Sequence, residues 1–140
     1  MILLENKTNH NIDENRLNSI AKYLNTQRDI ELIITNNSEI QQLNKEFRDK
    51  DKPTDVLSFP LEDAPFMPLG TIVISLDKAK EVAHKLNHKV DDEIALLFIH
   101  GLLHLLGYDH EVDKGEMREK EKEIIEHFNL PKSLIIRGED

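Results

Sequence analysis

The chain has 140 residues, 39% of them apolar and 32% charged, with a formal net charge of −9 and no cysteine. That length suits a single domain, residues 1–140, around one core. The missing cysteines exclude disulfides and thiolate metal sites, and the acidic balance argues against generic nucleic-acid binding while leaving room for local basic patches.

Taken in chain order, the short apolar segment MILLEN predicts a first strand. Leu17, Ile20, Ala21 and Leu24 then follow a helical spacing behind a candidate Asp13 cap. IELIIT, residues 30–35, is rich in β-branched residues and predicts a strand. Ser38 and Gln41 fit a capping box, and Ile40, Leu43 and Phe47 mark one face of the helix behind it. DVLSF, residues 55–59, predicts a strand ended by Pro60. Two prolines make 61–69 a loop, and TIVIS, 71–75, is a further strand.

Three helices are expected after it. Ala79, Val82, Ala83 and Leu86 define the first. The second begins near Asp91 and Asp92, acidic residues suited to a helix start, runs through Leu105 and stops at Gly107. The third covers about 112–128, with Met117, Ile124, Ile125 and Phe128 as its apolar positions. The fold class is α+β: a small mixed sheet of about four strands packed with about five helices. The second of these three helices is apolar nearly all round, which makes it the central, buried one. Its apolar run, Ile94 to Leu106, is shorter than the roughly 18–20 residues of a membrane span. With no cationic-then-apolar leader at the start, a cytoplasmic protein with no membrane partner is expected.

Chemistry concentrates in LFIHGLLHLLGYDH, residues 97–110. His100 and His104 are one helical turn apart, so their rings share a face and can chelate one metal ion. Gly107 can adopt a left-handed conformation, end the helix and let the chain bring His110 to the same side. Three nitrogen ligands with a position left for water is the composition of a catalytic zinc site, although such a set also suits other divalent transition metals. A core-histidine explanation is poor, because three buried imidazoles without partners would cost about 1–3 kcal/mol each. The ligand and glycine spacing is that of metzincin proteases, but Gly101 stands where their general-base Glu would be, which argues against peptide hydrolysis. His10, His84, His88 and His127 lack such a pattern, and His84 and His88 are expected at the surface. Lys45, Arg48, Lys50 and Lys52 form one basic cluster, and Lys78, Lys80, Lys85 and Lys89 another.

HGLLHLLGYDH, 100–110, together with FRDKDKPTDVLSFP, 47–60, and LGTIVIS, 69–75, resembles the YbeY family of metal-dependent endoribonucleases. The resemblance extends over nearly the whole chain. One departure is visible: Thr71 stands where the family commonly has Asp. The resemblance implies one zinc ion, or another divalent transition metal, held by His100, His104 and His110. It also implies a functional Arg48 in the cleft facing that ion. A guanidinium suits that place because it binds two phosphoryl oxygens at once and keeps its charge; on the residues alone, an ion pair of Arg48 with Asp49 or Asp51 is the competing explanation. The implied substrate is RNA: maturation of ribosomal RNA at the small-subunit 3′ end and ribosome quality control, with a ribosomal protein or an assembly GTPase as further partner. Lys50 and Lys52 would add attraction for the RNA backbone. No general base is assigned; Asp109 is a candidate base or a residue orienting a ligand imidazole, and Asp55 a loop or strand-end residue. Two other classes compete: a metalloprotease with an unusual base, and a non-catalytic ribosome-assembly module stapled by its metal.

Overall fold

The computed structural model describes residues 1–62, 64, 66–108 and 115–131. Among them, four strands and five helices alternate in the order β1 (Ile2–Asn6), α1 (Glu14–Tyr23), β2 (Ile30–Thr35), α2 (Asn37–Arg48), β3 (Val56–Pro60), β4 (Gly70–Ser75), α3 (Leu76–Lys85), α4 (Val90–Leu105) and α5 (Glu116–Phe128). The strands form one mixed sheet in the order β1-β2-β4-β3. β1, β2 and β4 run parallel, and β3 pairs antiparallel to β4 with Val56 opposite Ile74 and Pro60 opposite Gly70. Pro60 lies inside β3 rather than beyond it, which an edge strand tolerates because one row of its backbone groups meets no partner strand.

The α+β expectation and the count of elements therefore hold. α1 starts where Asp13 accepts a hydrogen bond from the Arg16 amide at 3.2 Å, and it buries Leu17, Ile20 and Ala21. α2 differs from expectation at its start. Its cap is Asn36, whose extended backbone lets the side chain accept from the Glu39 amide at 2.9 Å, so Ser38 is already inside the first turn and forms no box with Gln41. β4 passes into α3 without a loop, and Ser75 ends the strand and caps the helix, accepting from the Lys78 amide. Ser75 also donates to Asn37 Oδ1 at 2.7 Å, tying the starts of α2 and α3 together at one end of the sheet.

The two faces of the sheet follow the period of two along each strand. Ile30, Leu32, Ile34, Ile72 and Ile74 join the main core with α1, α3, α4 and α5. Leu57 and Val73 face the other way, under Ile40 of α2, with Ile33, Leu43 and Phe59 packed at the margin. α4 is buried from Glu93 through Leu103 and again at Leu105, because α1, α3, α5, β3 and β4 all pack on it. It is the central helix the sequence predicts. α5 buries Met117, Ile124 and Ile125 as expected, while Phe128 is only half-buried, its ring edge-on to Tyr23 of α1. The expected start of that helix near 112 lies outside the described residues, since α5 is described from Glu116.

Candidate active site

Burial on every side fixes the backbone of α4 and with it the two histidines. His100 is 6% exposed, and His104, one turn further on, is half-buried. Their rings meet edge to face with centroids 4.7 Å apart, and the two Nε2 atoms lie 3.2 Å from each other. Two metal–nitrogen bonds of about 2.0–2.1 Å at a tetrahedral angle put their nitrogens about 3.3–3.4 Å apart. The pair thus already has the spacing of two ligands on one ion. Among the described residues no group of three or more His, Asp or Glu forms a complete metal shell. His110, the expected third ligand, and Asp109 lie outside the described residues.

The helix end is built as the glycine implies. Gly107 has φ of +100°, its amide donates to His104 O at 3.1 Å, and the Tyr108 amide donates to Leu103 O at 3.0 Å. This is a Schellman arrangement, with Tyr108 folded back on the core. It ends the helix and turns the chain at Gly107, three residues after His104.

Gly101 has a packing role that sequence reasoning does not reach. A Cβ there would lie 2.9 Å from Ile72 Cγ2 and 3.1 Å from Ser58 Oγ. Ser58 donates to the Gly101 carbonyl at 3.2 Å. The position faces the sheet, not the open side of the histidines, so a Glu at 101 would be driven into the helix–sheet contact.

Three carboxylates stand around α4 with different tasks. Asp55, just before β3, has its carboxyl pushed above the ordinary carboxylate range by burial, with nearby His100 and the Val56 amide pulling the other way. Its own carbonyl accepts from the Ser75 amide at 2.9 Å. Glu121 of α5 is fully buried, and its Oε2 lies 3.9 Å from His100 Nδ1. Glu93 in the first turn of α4 holds His88 at 2.8 Å. His88 is therefore no surface residue: it is 11% exposed and serves as the partner of a fully buried carboxylate. His84 is exposed as expected, His10 pairs with Asp91 at 2.7 Å, and His127 stacks on Tyr23.

Arg48 ends α2 and is exposed. Among the described residues no ion pair of Arg48 with Asp49 or Asp51 forms: Asp51 contacts Gln41 at 3.0 Å and Lys45 at 3.9 Å, and the Asp49 backbone takes the left-handed conformation that ends the helix. The chain from Arg48 to Asp55 is shaped by Asn44, which sequence reasoning missed. This side chain is 3% exposed and donates to Lys52 O at 3.0 Å, while the Lys50 amide donates to Asn44 O. Lys50 and Lys52 themselves are exposed. Glu121 was missed as well. Its signal was available: it occupies the apolar stripe of α5 between Met117 and Ile124, where an acid is out of place. Thr71 lies on the face of β4 away from α4, with its hydroxyl 3.4 Å from Glu31 Oε1 across the parallel pair. The departure at 71 therefore leaves the histidine pair untouched.

Fold and site together define a class: a mixed-sheet α+β protein with convergent imidazoles on its central helix, beside an edge strand. The family model for Endoribonuclease YbeY matches residues 3–129. Relatives named Endoribonuclease YbeY include proteins of Nautilia profundicola, 63% identical over the whole of both chains, and of Helicobacter pylori, 51% identical over the whole of both. That of Sulfurovum sp. is 60% identical, covering 99% of this chain and 98% of its own. The solution structure of TM1509 from Thermotoga maritima superposes with a TM-score of 0.62 at 32% identity, covering 91% of this chain and 89% of that one. The chain belongs to the YbeY family of endoribonucleases, and so to the hydrolases. No helix among the described residues is long and apolar enough to cross a membrane.

Proposed function

We propose that this protein is a metal-dependent endoribonuclease that cuts single-stranded RNA during maturation of ribosomal RNA at the small-subunit 3′ end and in ribosome quality control. The observation that carries the metal reading is the 3.2 Å approach of the His100 and His104 Nε2 atoms on a buried, rigid helix. His100, His104 and His110 would hold one zinc ion, or another divalent transition metal accepted by three imidazoles. When bound, such an ion supplies Lewis acidity toward a phosphoryl oxygen and acidifies a water molecule.

The chain's own residues supply the rest. Arg48, unpaired with Asp49 or Asp51, is available to bind two phosphoryl oxygens and offset the negative charge that develops as a water oxygen adds to phosphorus and the ribose oxygen leaves. Lys50 and Lys52, exposed on the loop that Asn44 shapes, add attraction for the RNA backbone within an acidic protein. Burial of α4 holds the imidazoles in place without a reorganisation cost at the moment of reaction. The protease alternative loses its remaining support at Gly101, whose position faces Ile72 and Ser58 and offers no room for a base. A ribosomal protein or an assembly GTPase as partner remains part of this proposal, as does a cytoplasmic site of action.

Metal content and RNA cleavage test the reading together. The purified protein should carry about one equivalent of metal, and His104→Ala should lose most of it. Metal-loaded protein should cut single-stranded RNA, and both chelator and Arg48→Glu should abolish the cut. Full metal retention by His104→Ala would remove the ligand assignment. Cleavage indifferent to Arg48 and chelator would remove the catalytic one and leave the non-catalytic assembly module in its place.

A further inference from the structure

Glu121 is the least expected buried group in the molecule. It is 0% exposed on the inner face of α5, beside Met117 and Ile124, which are also fully buried. Neither of its carboxylate oxygens accepts a hydrogen bond from the described residues. A carboxylate in that condition is costly to the fold, and an apolar side chain of similar volume would be cheaper. Its position suggests what offsets the cost. Oε2 lies 3.9 Å from Nδ1 of His100, on the side of the ring opposite the Nε2 that meets His104.

We propose that Glu121 is the positioning residue of the metal site, acting through His100; the inference rests on the reading of His100 and His104 as ligands. A neutral imidazole carries one proton, on Nδ1 or on Nε2. If His100 carried it on Nε2, a bare Nδ1 lone pair would face the carboxylate. With the proton on Nδ1, the ring presents N–H to Glu121 and a free lone pair at Nε2. The buried carboxylate therefore selects the tautomer in which His100 Nε2 is ready to bind a cation, and it makes that nitrogen a stronger donor. At 3.9 Å the two groups are within ion-pair distance of each other, with both side chains buried. α5 thus contributes to the site without supplying a ligand.

The test compares wild type, Glu121→Gln, Glu121→Leu and His104→Ala, each stripped with chelator. Zinc affinity is read by competition with a chromophoric chelator, and the stability of the metal-free protein by urea unfolding. Glu121→Leu should bind zinc about 10–100-fold more weakly, the range for loss of such an outer partner. Its metal-free form should unfold at the wild-type urea concentration or higher. Glu121→Gln keeps an oxygen that can accept from Nδ1–H and should fall between the two. A merely structural Glu121 would give the reverse pattern: lower metal-free stability with zinc affinity unchanged in both variants, and that result overturns the proposal. His104→Ala separates the two levels. If it loses zinc while both Glu121 variants bind as tightly as wild type, only the role of Glu121 falls. If it too binds as wild type, the ligand reading falls and this proposal with it.

Discussion

Replacing Gly101 with alanine pits two known effects against each other. Alanine is the better helix former by about 1 kcal/mol, so on an open helix face the change would stabilise. Here the new Cβ would stand 2.9 Å from Ile72 Cγ2, 3.3 Å from Ile72 Cγ1 and 3.1 Å from Ser58 Oγ. Ile72 is fully buried and β-branched, so neither γ carbon can swing away without moving the strand. Overpacking of this kind costs about 1–3 kcal/mol. The expected net result is a loss of about 0–2 kcal/mol in urea unfolding of the chelator-stripped protein, once the helix gain of about 1 kcal/mol is subtracted. The decisive assay is a double-mutant cycle with Ile72→Ala. That change alone should cost about 2–5 kcal/mol by opening a cavity. The added Cβ at 101 would partly fill the same space, so the double variant should be more stable than the sum predicts by about 0.5–3 kcal/mol. Strict additivity, or a Gly101→Ala variant stabilised by the full helix gain, would refute the close-packing account of this glycine.

Two further predictions concern the groups that pin the helices. His88→Leu removes the 2.8 Å partner of the fully buried Glu93 and should cost about 1–3 kcal/mol, whereas the double variant His88→Leu, Glu93→Met should lose less than the single, as urea midpoints would record. Tyr23→Phe removes the hydrogen bond from the phenol to Glu123 at 2.7 Å, which, ahead of the Lys120 contact, holds the Glu123 carboxyl below its ordinary range. A lowered carboxyl contributes stability above the unfolded-state pKa that is lost as pH falls through the folded one. The gap in stability between wild type and Tyr23→Phe should therefore be present at neutral pH and shrink below the ordinary glutamate range; a gap that widens on acidification would contradict the assignment.

Much of this fold was legible because its signals are local. β2 was predicted over the residues it occupies, since IELIIT buries alternate positions on a two-sided sheet. The Asp13 cap, the all-round burial of α4 and the left-handed Gly107 each follow from short stretches read by themselves. What escaped depends on partners distant in sequence. Asn36 wins the α2 cap over Ser38 because the helix starts straight out of β2. His88 lies in a lysine-rich stretch that looks solvated, and its burial follows from the neighbouring helix turning Glu93 inward. Asn44 looks like an ordinary polar helix residue until the loop beyond α2 folds back onto it. In the candidate site, the pairing of His100 and His104 was readable from a single helical turn, and His110, outside the described residues, was read from the turn at Gly107; Arg48 rested on the resemblance.

On the proposed reading of His100 and His104 as ligands, the chain solves two problems with one helix. Chelation needs imidazoles that do not move, and immobility comes from burial, yet a site that is buried throughout admits no substrate. α4 resolves this along its own length. His100 sits where α5 and the sheet still close over the helix, and His104 comes a turn later, where burial falls away before the reversal at Gly107. The glycine after the first histidine lets α4 lie close enough to Ile72 and Ser58 to fix that first ring. The second ring then stands one turn on along the same fixed helix, half-buried rather than buried. On this account, loosening the helix–sheet contact should disturb the histidine pair even though no ligand is changed. Gly101→Ala should therefore weaken zinc binding by more than its modest effect on metal-free stability would imply.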